Sequence, residues 1–176
     1  LLWTAQVISE VGDWFYTVAI YSLLLEYTGS AKSIALAFPL QVLPQFLCSP
    51  SAGVVNDRLS RRRVMIFADW ARAVIVAGML LVRGPEMVNF LYALLFLETI
   101  MWALFEPGRT ATIPNITTGP DVVTGNALSS ITWSFNFAVG SALGGVIAAF
   151  FGRQTVFAIN ALSFVVSALL IQRMRF

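Results

Sequence analysis

The 176-residue sequence is 58% hydrophobic and 11% charged, with a mean hydropathy of +0.79, which excludes an ordinary soluble domain and points to a polytopic membrane chain. A formal charge of +2 could suggest nucleic acid, but seven of the eleven basic residues fall where cytoplasmic loops or the terminus of a membrane protein should lie, so no nucleic-acid partner is expected. With no His, a single Lys and a single Cys, the chain lacks a His-based triad, a phosphate-binding lysine loop and an intrachain disulfide; Cys48 reads as a packed small hydrophobe, and no metal, cofactor or enzymatic activity is expected.

About 20 apolar residues cross a hydrocarbon core, and on that measure the sequence predicts an all-α fold of six spans. Leu1 is not an initiator Met and Leu1-Leu2-Trp3 already reads as membrane-interface sequence, so the chain is expected to be part of a longer protein, without a removable signal peptide. The first span runs from about Trp3 to Tyr27 and is broken by Thr28-Gly29-Ser30. The second, about Ser33 to Val55, carries Pro39, Pro44 and Pro50, which in a membrane helix imply kinks and not a stop. The third runs from Val64 to Val82 and the fourth from about Val88 to Phe105, where Glu106-Pro107-Gly108-Arg109 is expected to end it. A polar, partly helical surface connection then covers Thr110 to Gly125, with Asn126 as the cap of the fifth helix. The fifth span covers about Leu128 to Phe151, and the sixth about Thr155 to Ile171.

Threaded alternately, these spans place Arg58, Arg61, Arg62, Arg63, Arg109, Arg173 and Arg175 on one side, against Lys32, Arg83 and Arg153 on the other. Arginine is retained on the cytoplasmic face, so both ends are expected in the cytoplasm and the chain in the inner or plasma membrane. Arg63 to Ala71 echoes Arg153 to Ala161 at an offset of 90, and Glu10 with Trp14 echoes Glu98 with Trp102 at an offset of 88. Two inverted three-helix repeats, about 1–83 and 86–176, would produce such offsets. Asn-Ala-Leu-Ser recurs at 126 and 160, but that joins non-equivalent spans and is read as coincidence.

Charged groups inside a span cost on the order of 3 kcal/mol on insertion scales and are functional candidates for that reason. They are Glu10, Asp13, Asp69, Arg72 and Glu98. Glu10 and Asp13 lie three apart on one helical face, an arrangement that suits a proton carrier or a structural hydrogen-bonding group. Asp69 and Arg72, also three apart, read as a local ion pair. Trp14, Phe15, Trp102, Phe105 and Trp133 could stack on a flat amphipathic substrate or serve as packing and interface anchors. Glu10, Asp13, Trp14, Glu98 and Trp102 together are the expected lining of a substrate and proton cavity. In the fifth span, Gly140, Gly144 and Gly145 are expected to let two helix backbones come close.

The stretch Gly53-Val54-Val55-Asn56-Asp57-Arg58-Leu59-Ser60-Arg61-Arg62-Arg63 holds the densest charge and reads as a tight turn at the membrane surface. Gly53, Asp57, Arg58, Arg61 and Arg62 resemble the loop between helices two and three of the major facilitator superfamily, although Val55 and Ser60 stand where that family usually has Leu and Gly. The resemblance implies a gate latch, while the spacing alone fits a generic positive-inside loop. Gly140, Gly144 and Gly145 are similar to the antiporter signature of the exporter branches, with Ser141 in place of its proline and Asn136 in place of an earlier glycine. Val11-Gly12-Asp13-Trp14-Phe15, Phe105-Glu106-Pro107, Gly125-Asn126-Ala127-Leu128 and Ile159 to Phe164 resemble the drug-efflux subfamily of macrolide, enterobactin and lysophospholipid transporters. That resemblance implies the amino-terminal half of an ion-driven, proton-coupled exporter of a small amphipathic molecule, completed by a second half or by self-association. The alternatives are a lipid translocator of the same fold and a non-transporting membrane assembly protein.

Overall fold

The structure, a computed structural model, describes residues 1–116 and 121–174. Its helices are α1 (Leu2–Thr28), α2 (Ala31–Arg58), α3 (Arg61–Met79), α4 (Val88–Ile116), α5 (Asp121–Phe151) and α6 (Arg153–Gln172), with a single 3-10 turn at Pro85–Met87 before α4. The first break falls where glycine is needed: Gly29 adopts φ 61° and closes α1 by donating its N–H to the Leu25 carbonyl, and the Ser30 hydroxyl then caps α2. Pro39, Pro44 and Pro50 all lie inside a continuous α2. By length and composition, Ala31–Arg58, Pro85–Pro114, Asp121–Phe151 and Arg153–Gln172 are long and apolar enough to cross a membrane. The other two helices, α1 and α3, hold Glu10, Asp13, Asp69 and Arg72.

Two expected boundaries are corrected. Glu106-Pro107-Gly108-Arg109 does not end α4, which runs on to Ile116 with Pro107 and Pro114 inside it. A proline interrupts the backbone ladder, but neighbours can supply donors for the freed carbonyls. Pro107 and Pro114 free the Ala103 and Thr110 carbonyls; one residue on from the first, the Asn56 side chain of α2 donates to the Leu104 carbonyl at 2.9 Å, and the Thr110 and Thr112 hydroxyls back-bond to the Glu106 and Gly108 carbonyls at 3.0 and 2.7 Å. Asn126 is no cap, because α5 already begins at Asp121. Part of the expected surface connection, residues 117–120, and Arg175 lie outside the described residues.

The helices pack in the spatial order α5, α1, α6, α3, α4, α2, each seated mainly on the next. Phe15, Ile20, Leu24, Val76, Met79, Leu91, Leu95, Phe157 and Phe164 fill the core between α1, α3, α4 and α6. The outer helices α2 and α5 turn large apolar side chains outward, with Phe46 77% and Phe150 80% exposed. In water such faces would be a liability, whereas lipid tails solvate them at no cost.

Small residues set how closely α5 lies on α1. A Cβ on Gly144 would fall 2.6 Å from the Phe15 Cα, and one on Gly140 would fall 2.7 Å from the Trp14 Cβ, so both positions require glycine. The third expected contact is absent: a Cβ on Gly145 would meet only Val18, at 3.9 Å. Gly53 likewise permits no close approach within this chain, since nothing lies within 4 Å of the position its Cβ would occupy.

Candidate functional site: a charged cavity

A cavity of about 910 Å³ opens between α1, α2, α4 and α5, with Arg72 of α3 at its back. Glu10, Asp13, Trp14, Glu98 and Trp102 all line it. Helical geometry explains the first three, since positions i, i+3 and i+4 share one face. Trp14 meets Phe137 edge-on at a centroid distance of 4.5 Å and Trp133 at 5.5 Å, and Trp133 stacks on Phe137 at 6.0 Å. The result is an aromatic wall, contributed by α1 and α5, beside a row of carboxylates.

Arg72 is 1% exposed and ties α1, α3 and α4 together. Its Nη2 donates to Asp13 Oδ2 at 2.6 Å and its Nε to Glu98 Oε1 at 2.9 Å. The second Glu98 oxygen accepts the Tyr16 hydroxyl at 2.8 Å. The guanidinium face lies over the Phe164 ring at 4.0 Å, a cation–π contact from α6. The expected Asp69 pair is present but longer: Arg72 Nη1 is 3.8 Å from Asp69 Oδ1, whereas Asp69 Oδ2 accepts the Ser167 hydroxyl at 2.5 Å. The pairing is therefore not local. The strongest partners of Arg72 come from two other helices, because a buried guanidinium needs several acceptors and one carboxylate three residues away satisfies too few of its donors. One positive charge faces three carboxylates, Asp13, Asp69 and Glu98, so the formal charge of the cluster is −2.

A second cluster lies outside the expected set. Arg109, expected at the cytoplasmic surface, is 7% exposed and forks onto both oxygens of Glu106, at 2.9 and 2.5 Å. Its Nη1 also donates to Gln6 Oε1 at 3.0 Å and to the Ser129 hydroxyl at 3.2 Å. Gln6 in turn donates to Glu10 Oε1 at 2.8 Å, and Asn136 donates to Glu10 Oε2 at 3.1 Å. Glu10 and Asp13, one turn apart, thus belong to different networks. The sequence signal for the second is the Glu106 and Arg109 spacing, the same interval of three that separates Asp69 and Arg72.

The loop between α2 and α3 is a surface structure. Asp57 and Arg61 form an exposed ion pair at 3.7 Å, and Arg58 is exposed. Arg61 donates to the Ala111 carbonyl at 2.9 Å, and Arg62 to the Ile171 carbonyl at 3.2 Å and to the Gln172 carbonyl. Cations are favourable at the carboxyl end of a helix, so this loop binds the end of α6 and the last turns of α4.

Comparison with known proteins agrees with this geometry. A family model described as transmembrane secretion effector, of the major facilitator type, matches residues 1–176. The chain is 29% identical over 171 residues to an uncharacterised MFS-type transporter, YfiS, of Bacillus subtilis (strain 168), covering 97% of this chain and 40% of that protein. It is 25% identical over 178 residues to macrolide efflux protein A of Streptococcus pyogenes, covering 99% and 44%. A third relative, multidrug efflux pump Tap of Mycobacterium bovis, is 29% identical over 180 residues, covering 97% and 42%. The chain thus spans about two-fifths of the length of the relatives it matches.

Proposed function

The chain belongs to the transmembrane secretion effector family of major facilitator transporters, and from that premise we propose that it forms the cavity-bearing half of a proton-driven exporter of small amphipathic molecules. The observation that carries this reading is the Arg72 cluster in the wall of a cavity whose other face is aromatic. Rings of Trp14, Trp133 and Phe137 offer flat apolar surface, and the surplus of carboxylates favours a substrate bearing a positive or strongly polar group. The same surplus gives a coupling proton a place to sit, because adding one takes the formal charge of the cluster from −2 to −1.

The packing order supports two inverted repeats: exchanging the first three helices for the last three turns α5, α1, α6, α3, α4, α2 into the same order read backwards. All six helices then span the bilayer, α1 and α3 keeping their charges toward the bundle. Arg58, Arg61, Arg62, Arg63 and Arg173 gather at one end, which the positive-inside rule assigns to the cytoplasm, together with both ends of the chain. The remaining length of such a carrier supplies the facing half, against which this one rocks in alternating access. The efflux relatives favour export as the direction.

The test is transport by the intact protein in proteoliposomes with an imposed pH gradient and a fluorescent amphipathic quaternary ammonium probe, whose fixed charge prevents passive trapping in the acidic compartment, with protein-free liposomes alongside. Gradient-dependent accumulation on the acidic side is expected. Transport indifferent to the gradient, or none of any amphipathic probe, would remove the reading.

A further inference from the structure

The geometry points to Asp69 as a reserve counter-ion for Arg72, a positioning residue sealed from the cavity that takes over the guanidinium when a cavity carboxylate is claimed by a proton or a cationic substrate. This rests on the exporter reading above and adds a residue that the cavity does not contain. Asp69 is 0% exposed and does not line the cavity, whereas Asp13 and Glu98 do. Its two oxygens are unequal. Oδ2 is held by the Ser167 hydroxyl at 2.5 Å, which fixes the carboxylate against α6. Oδ1 has no hydrogen bond and lies 3.8 Å from Arg72 Nη1. A hydrogen-bonded guanidinium and carboxylate stand about 2.7–2.9 Å apart, so a movement of roughly 1 Å closes the gap.

The charged and titratable groups around Arg72 are Asp13 and Tyr16 from α1, Asp69 from α3 and Glu98 from α4, while α6 contributes Ser167 and the Phe164 ring. In the structure the cavity-side carboxylates hold Arg72, at 2.6 and 2.9 Å. Asp13 Oδ1 is likewise buried without a hydrogen-bond partner, an acceptor that a proton can occupy. When Asp13 or Glu98 is neutralised, Arg72 keeps one short carboxylate and loses the other, and a buried guanidinium short of an ionised acceptor is penalised. The idle oxygen of Asp69 removes that penalty. Each loading event is thereby converted into a shift of Arg72 from the α1 and α4 side toward α3 and α6, which gives the cavity a mechanical link to helices that do not line it apart from Arg72 itself.

The experiment compares Asp69→Asn and Ser167→Ala with wild type in the intact protein, measuring efflux against external pH and, separately, substrate exchange at equal pH on both sides. Asp69→Asn keeps the size of the side chain and removes the charge. Without the reserve, neutralising Asp13 or Glu98 leaves Arg72 with a single ionised partner, so half-maximal efflux is expected about one pH unit lower, a tenfold higher proton activity. Exchange should stay within about twofold of wild type, because it requires no net proton movement. Ser167→Ala leaves every charge in place and frees the carboxylate to wander, so a shift of the same sign and smaller size is expected; it also serves if Asp69→Asn does not fold. An unshifted profile in either folded variant overturns the role of Asp69 while leaving the exporter reading intact. A wild type without any pH dependence overturns the exporter reading instead.

Discussion

The two buried arginines among the described residues stand in similar surroundings and are used differently. Arg109 has a bidentate partner of its own, Glu106, one turn away on the same helix, and its remaining contacts are neutral amide and hydroxyl groups. Arg72 has its short contacts on two other helices and a distant one on its own. A cation that is satisfied locally fastens helices together and has little reason to change partner. A cation divided among carboxylates from different helices responds to each of them, so a change in one is felt by the others. The comparison identifies Arg72 as the group to which ligand binding can be coupled, and Arg109 as a clamp on α1 and α5.

The largest expected effect breaks the comparison if it fails. Arg72→Gln leaves buried carboxylates unpaired and should destabilise the protein by about 3–5 kcal/mol, whereas Arg109→Gln should cost about 1–3 kcal/mol. Thermal unfolding of both variants in one detergent decides it, and equal losses would mean that the two sites are equivalent. Next come the carboxylates of the two networks. Glu98→Gln, which removes a short partner of Arg72, should abolish pH-driven transport and leave counterflow exchange partly intact, whereas Glu10→Gln, in the network of Arg109, should weaken it less. Wild-type pH dependence in both would exclude these two acids as proton carriers and direct attention to Asp13.

A smaller effect probes whether the position of α1 sets both networks. Gly144→Ala puts a methyl group 2.6 Å from the Phe15 backbone and should cost about 1–3 kcal/mol, with loss of transport, while Gly53→Ala should stay within about 0.5 kcal/mol. A neutral Gly144→Ala would show that α5 can retreat without disturbing the site. The smallest stability effect belongs to the surface loop. Asp57→Asn removes an exposed ion pair worth less than about 1 kcal/mol, yet it should slow conformational switching more than it weakens substrate binding. Cysteine accessibility from the two sides of the membrane, measured alongside binding, separates these outcomes.

The helices are legible in the sequence because long apolar runs between charged breaks leave few alternatives. The carboxylates are legible too, since an ionised group in a run such as Leu1 to Tyr27 demands a partner. What a sequence cannot supply is the identity of those partners. Arg72 and Asp69 look self-sufficient at a spacing of three, and nothing in a linear string reports that Asp13 lies 59 positions away and 2.6 Å distant. Glu106-Pro107-Gly108-Arg109 carries every signal of a helix end, and the contact that α2 makes with this stretch, Asn56 donating to the Leu104 carbonyl, is not visible in the linear sequence. For the same reason Arg109 reads as a surface residue in the sequence and is buried in the fold. Glycine spacing predicts an approach at Gly140 and Gly144 correctly but cannot tell that Gly145 points elsewhere.

The placement of α1 also has a consequence for how the chain is made. This helix is synthesised before the other five, yet its main neighbours are α5 and α6, and the Trp3 indole donates to Thr132, 129 residues later. At about 5–20 residues per second, roughly 6 to 26 s of synthesis separate the two. Throughout that interval Glu10 lacks Asn136, and Arg109 follows only in α4, while the partner that Asp13 has in the fold, Arg72, is made two helices on. The surroundings of α1 are therefore completed only when α5 and α6 have been made, and until then its carboxylates depend on the insertion machinery or on a provisional pairing with α3.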